Sequence, residues 1–392
     1  MPSRSKLRRI LLRVALALLV LFAVDRIVTV LVVDDEGRFQ GKALAPIETA
    51  VFQRRVAASV EQIRAQGQRG LTQAAFDPEL GWTTRPGPKK RPASDEFGSR
   101  TGGRVKQRER TKGVRRILAF GCSFTFGSEV KGSETWCARL EELRPDVEVF
   151  NMGVPGYGLG QALLRFERLA PGLDPDEVWF VLMPSAAQRP STHMPTLTLP
   201  WTATLWFKPR FEVGQDGALV RFPCPVTTVE EAMSAYEEPG VLHGLLAGKD
   251  PWFDRASGAF ERRPEHALLA GRLYWTARLF RMGPSQRGCD GRGDSLVPLH
   301  RAIAAEARKT AEGLGAEFRY LVLPCDFDMP PPRGDDGRIK HELLRVLRED
   351  GVECLDGTPA IVGVPESERW QPEGHLTPRG NSAVAAWLAE RI

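Results

Sequence analysis

The spacing of apolar and polar residues along this chain changes character twice. Near the amino terminus, Arg4, Lys6, Arg8, Arg9 and Arg13 precede an unbroken apolar run over 14–24, and 27–33 is almost as apolar, with Asp25 and Arg26 between the two. Such a stretch predicts a single transmembrane helix that must shelter one charged pair or hold it at an interface. The A-x-A match at Ala43-Leu44-Ala45 lies far beyond the apolar residues, which favours a retained anchor over a cleaved signal peptide. A helix lying on the membrane surface is the third option. Positive charge ahead of the span places the amino terminus in the cytoplasm and the rest of the chain outside it. Residues 34–113 carry no strong period beyond a possible helix over 48–66 and read as a juxtamembrane lead-in.

From 116 onward short apolar runs alternate with helical periods. Strands are expected over 116–120, 147–151 and 177–183, separated by helices over 134–143 and 160–169. After a long interruption the pattern resumes with a helix over 299–314, a strand over 318–323, a helix over 338–349, a strand over 352–355 and a last helix over 378–391. This alternation predicts a parallel sheet of five strands covered by helices. The interruption, about 190–298, is an insertion after the third strand. It holds a hairpin turning at Gln215-Asp216-Gly217, and its tryptophans Trp201, Trp206 and Trp252 suit either a satellite core or a substrate wall.

With 392 residues, 42% of them hydrophobic, the chain can bury a large core, which excludes wholesale disorder. Its +5 charge is uneven, because Arg104, Lys106, Arg108, Arg110, Lys112, Arg115 and Arg116 share one stretch. That density could suit phosphates or anionic headgroups, but no aromatics interleave for base stacking, so a solvated connecting segment is expected and no nucleic-acid partner is assigned. The six cysteines are scattered without a CxxC pair, and His193, His243, His266, His300 and His341 lack metal-ligand spacing. No metal and no cofactor are assigned.

The candidate chemistry begins at Gly121-Cys122-Ser123-Phe124-Thr125-Phe126-Gly127, a glycine-flanked turn after the first strand. There a side chain would stand at the carboxyl edge of a parallel sheet, where α/β sites lie. The segment resembles the first block of the SGNH hydrolases, the GDSL esterase and lipase superfamily, with Cys122 where that family has aspartate. The segment Asn151-Met152-Gly153-Val154-Pro155-Gly156-Tyr157-Gly158 is similar to the family's second block, and Pro372-Glu373-Gly374-His375-Leu376 to its last. The third block departs: Met183-Pro184-Ser185-Ala186-Ala187-Gln188 has no asparagine, leaving Ser185 or Gln188 as donors.

The resemblance implies a three-layer α/β/α flavodoxin-like fold over 114–392. It further implies Ser123 as nucleophile, His375 as general base, Glu373 as the acid beside it, and an oxyanion hole from the backbone of Ser123 and Gly156. Cys122, at a helix amino terminus, is the alternative nucleophile. Gly293-Asp294-Ser295-Leu296 spells the family's letters in a Gly- and Arg-rich loop with no preceding strand, so Ser295 is rejected. The implied function is hydrolysis of O-acyl esters, on acylated polysaccharide, lipid or small esters, by a single-pass inner-membrane protein whose catalytic part faces the periplasm or exterior. A catalytically reduced domain that binds envelope glycans and an O-acyltransferase using the same serine are the alternatives.

Overall fold

The computed structural model describes residues 4–33, 38–39, 42–43, 74–84, 94–195, 206–254, 269, 273, 296–329, 338–372 and 374–392. The expected helix over 48–66, Trp201, Ser295 and Glu373 lie outside them.

The five expected strands form: β1 (Arg115–Gly121), β2 (Val147–Asn151), β3 (Glu177–Leu182), β4 (Glu317–Val322) and β5 (Glu353–Asp356). They make one parallel sheet in the order β5-β4-β3-β1-β2, the doubly wound order of flavodoxin-like folds. Because helices cover both faces, the central strands read as continuous apolar runs rather than as alternation, and Ile117 to Phe120 are fully buried.

Alternate residues of each strand feed two cores. Leu118, Phe120, Val178, Phe180, Tyr320 and Val322 meet α4 (Leu159–Leu169), α5 (Val297–Gly313) and α6 (Arg338–Glu349) on one face. Ile117, Ala119, Trp179, Val181 and Leu321 meet α3 (Trp136–Leu143) and α8 (Pro378–Ala389) on the other, with the short α7 (Thr358–Val362) beside them. The first core is knit by Phe120, Phe166, Phe180 and Phe318, whose ring centroids lie 5.3 to 6.1 Å apart. Each such pair adds about 0.5–1.5 kcal/mol beyond the area it buries.

A third, smaller core joins the lead-in to the insertion. The antiparallel hairpin of Ala74–Asp77 and Gly81–Thr84 brings Leu80 and Trp82 against Val154 and Tyr157, with Trp206, Phe207, Met233 and Leu246 of the insertion on the outer side. Trp206 is therefore core and not a substrate wall, while Trp252 is half-buried and donates from Nε1 to Ser191 Oγ at 2.8 Å. The insertion's hairpin, Arg210–Val213 with Leu219–Phe222, forms as expected.

The basic stretch is not simply solvated. Arg116 is fully buried, pairs with Glu148 at 2.7 Å and donates to the carbonyls of Gln107, Arg108, Glu109 and Leu173. Lys106 pairs with buried Glu141, and Arg110 with Asp176. These cations strap the lead-in to the domain.

At the amino terminus α1 (Arg4–Val32) runs 29 residues. Its segment Ile10–Val32 is long and apolar enough to cross a bilayer, with mean hydropathy 2.4 and no burial against the protein. Asp25 and Arg26 pair with each other at 2.8 Å, and Asp25 also accepts from the backbone N–H of Leu269, so the charged pair is neutralised locally.

Candidate active site

Ser123 opens a four-residue helix, α2 (Ser123–Phe126), directly after β1. Cys122 is its extended N-cap, and Gly127 in the left-handed region closes it with an N–H bond to Ser123 O. So short a helix cannot hold itself, since one turn fixes several residues for few bonds. Tertiary contacts hold it instead. Asn151, at the end of β2, donates from Nδ2 to Thr125 O at 2.7 Å and accepts from Gly153 N at 3.2 Å. The second block thus lies against the serine helix. A Cβ on Gly153 would come within 2.3 Å of Phe126 N, so the approach requires glycine there.

Gly156 adopts φ +83°, a turn that favours glycine, under the indole of Trp82. Trp82 Nε1 donates to Pro155 O at 3.0 Å, and the Tyr157 hydroxyl donates to Trp82 O at 2.5 Å. The turn expected to supply an oxyanion N–H is therefore clamped by a lead-in residue.

His375 lies in the loop before α8. The loop is pinned from both sides: its carbonyl accepts from Gln371 N at 2.7 Å, Thr377 caps α8, and Asn381 bonds Leu376 O and Thr377 O while accepting from Trp136 N at 3.0 Å. The His375 ring centroid stands 5.5 Å from that of Phe124, the residue after Ser123. Its Nδ1 is 2.5 Å from Glu129 Oε2, with both side chains about four-fifths buried, at 19% and 18% exposure.

Glu129 was not among the residues expected from sequence. Its contact with His375 spans 246 positions, and its local context, a polar residue two places after Gly127, carries no signal of that role. Glu129 adopts φ +67°, a left-handed conformation that costs a non-glycine residue about 1–3 kcal/mol. What holds it is Arg100 of the lead-in. This buried guanidinium donates to the carbonyls of Phe126, Gly127 and Val130, on both sides of Glu129. Burial lowers the Arg100 pKa to about 10, still charged at neutral pH.

A carboxylate at Nδ1 keeps the proton on that nitrogen and leaves Nε2 as the basic one, which is the arrangement a general base needs. Ser123, Gly156 and His375 are all placed at the carboxyl edge of the sheet by the loops expected to carry them. In the third block, Ser185 Oγ is 3.1 Å from Cys325 Sγ and Gln188 is buried with no partner for Oε1 among the described residues.

No protein-family model matches the chain, and no curated protein matches its sequence. Among solved structures the chain is similar to a psychrotrophic esterase from Pseudoalteromonas sp., at 12% identity over 70% of this chain and 95% of that one, with a TM-score of 0.36. It is also similar to a member of the lipolytic protein G-D-S-L family from Veillonella parvula, at 13% identity over 71% and 97%, TM-score 0.35. An acetylxylan esterase from Geobacillus stearothermophilus matches at 11% identity over 70% and 93%, TM-score 0.35.

Proposed function

We propose that this chain is a membrane-anchored serine ester hydrolase acting on O-acyl esters outside the cytoplasm. The observation that carries the reading is the His375–Glu129 pair, held beside the serine-bearing helix by contacts from four separate segments. Ser123 attacks the ester carbonyl while His375 Nε2 takes its proton; the imidazolium is stabilised by Glu129 at Nδ1. The tetrahedral oxyanion accepts from the backbone N–H groups of Ser123 and Gly156. Collapse breaks the bond to the leaving alcohol, which receives the proton from His375, and leaves an acyl group on Ser123. Water, deprotonated by the same imidazole, then releases the carboxylic acid and restores the serine.

Glu129, rather than Glu373, takes the acid's role in this scheme. The anchor gives the address: five basic residues precede the apolar run, so the domain after it faces the periplasm or exterior, where acylated polysaccharide and lipid are accessible.

The test is ester turnover with covalent labelling. Full-length protein in detergent should hydrolyse short p-nitrophenyl esters and take up a fluorophosphonate on Ser123, and Ser123→Ala should lose both while unfolding like wild type. An unlabelled wild type would leave a glycan-binding domain in place of an enzyme. Labelling with acyl transfer to an added sugar faster than to water would make it a transferase.

A further inference from the structure

One charged side chain at the sheet's carboxyl edge is unexplained by packing. Arg189 follows the third block at the start of the insertion and is 7% exposed. Its Nη1 donates to Tyr157 O at 3.1 Å, one residue after the oxyanion glycine, and the Cys122 thiol, one residue before the nucleophile, is among the groups that raise its pKa against burial. Its Nε has no partner among the described residues, and no salt bridge reaches it there. The groups that act on its charge are two thiols, Cys122 and Cys325, and Asp328, which also accepts from Cys325 N at 3.0 Å.

The backbone around Arg189 is built to keep it there. Lys208 of the insertion donates from Nζ to Arg189 O at 2.5 Å and also bonds Thr192 O, and Arg189 Cβ sits 2.8 Å from where a Gly158 side chain would begin. A buried cation without a carboxylate against it is costly to the folded state. Burial accordingly pushes its pKa down. A positive charge held at the sheet's carboxyl edge is placed to meet an opposite charge that forms during reaction.

We infer that Arg189 supplies the positive charge that stabilises the oxyanion of the tetrahedral intermediate, in place of the asparagine missing from the third block. Its position supports this: the guanidinium is bonded to the carbonyl next to Gly156, one of the two proposed oxyanion donors, and that turn lies against the serine helix through Asn151 and Gly153. The inference rests on the hydrolase reading and deepens it. The insertion then has a catalytic task, because Lys208 and the turn at Gly158 hold the third-block loop so that the cation reaches the turn beside Gly156.

A structural and an electrostatic role make opposite predictions for stability. Arg189→Met fills similar volume without charge, so in the full-length protein it should keep or raise Tm while kcat for p-nitrophenyl acetate falls about 10²-fold and KM changes less than about threefold. Affinity for an alkylboronic acid, which becomes a tetrahedral anion on the serine, should fall in parallel. Arg189→Lys restores a charge but not the planar fork, and should recover at least about a tenth of wild-type kcat. The inference is overturned if Arg189→Met loses Tm together with activity or fails to fold, if kcat is unchanged, if the loss lies in KM alone, or if Lys is as poor as Met. A wild type that the fluorophosphonate never labels sinks the hydrolase reading and this inference with it. A labelled wild type with any of those variant outcomes sinks this inference alone.

Discussion

Two carboxylates compete for one role beside His375. Glu373 is two positions away in sequence, and Glu129 lies 2.5 Å from Nδ1. Glu129→Gln preserves shape and a hydrogen-bonding oxygen but cannot stabilise an imidazolium, so kcat should fall at least about 10²-fold with little change in Tm. Glu373→Gln should stay within about threefold of wild type. Steady-state kinetics on the two variants decides between them, and the reverse pattern would return the acid to Glu373. Arg100 makes three carbonyl contacts around the left-handed Glu129 and so fixes the backbone that aims its carboxylate.

At the scale of elements, α5 is tied to the third block by a buried histidine. His300 donates from Nε2 to Ala187 O at 2.8 Å and its Nδ1 lies 3.3 Å from the Tyr320 hydroxyl, so the neutral ring satisfies both nitrogens. Burial pushes its pKa down to about 4 from 6.5. Between those values the unfolded chain takes up a proton that the folded protein refuses, so stability present above pH 6.5 is lost as pH falls toward 4. The loss from this one group is about 3 kcal/mol. His193, also lowered to about 4 by burial, acts in the same direction, whereas Asp328, raised by burial to about 6, acts in the opposite one. The clean measurement is therefore a difference: denaturant unfolding of wild type and His300→Gln from pH 7.5 to 4. The variant should be less stable at pH 7.5, and the gap should close by about 3 kcal/mol on acidification. A constant gap would mean that His300 titrates normally in the fold.

For the whole molecule, the lead-in divides into parts with different consequences. Removing residues 1–33 takes away the one span-length apolar helix among the described residues and should release the protein from membranes with ester turnover within about twofold of the full chain. Beginning the chain at 114 should abolish folding. That truncation deletes Leu80 and Trp82, fully or nearly buried, and Arg100, which clamps the loop of Glu129. The two apolar side chains alone contribute about 1.5–3 kcal/mol each, a large share of the roughly 5–15 kcal/mol that stabilises a domain. Membrane fractionation and circular dichroism of the two truncations check both outcomes; a folded 114–392 fragment would show the lead-in to be dispensable.

The sequence by itself determined the five strands, their alternation with helices, the long insertion and the span-length apolar helix, because each is written in local periodicity or length. It also located the loops of Ser123, Gly156 and His375, since parallel strands that end in glycine turns present their next residues at one edge. Only the tertiary structure brought Glu129 to His375, Arg100 to the loop of Glu129, and Arg189 to Tyr157. These contacts join segments 26 to 246 positions apart, or depend on where an insertion folds back, and none has a local period to betray it. Even the charge of the basic stretch could not be assigned from order along the chain. Whether an arginine faces water or a buried glutamate is decided by which surface comes to lie against it, and Arg116 and Lys106 found partners only once β2 and α3 were in place.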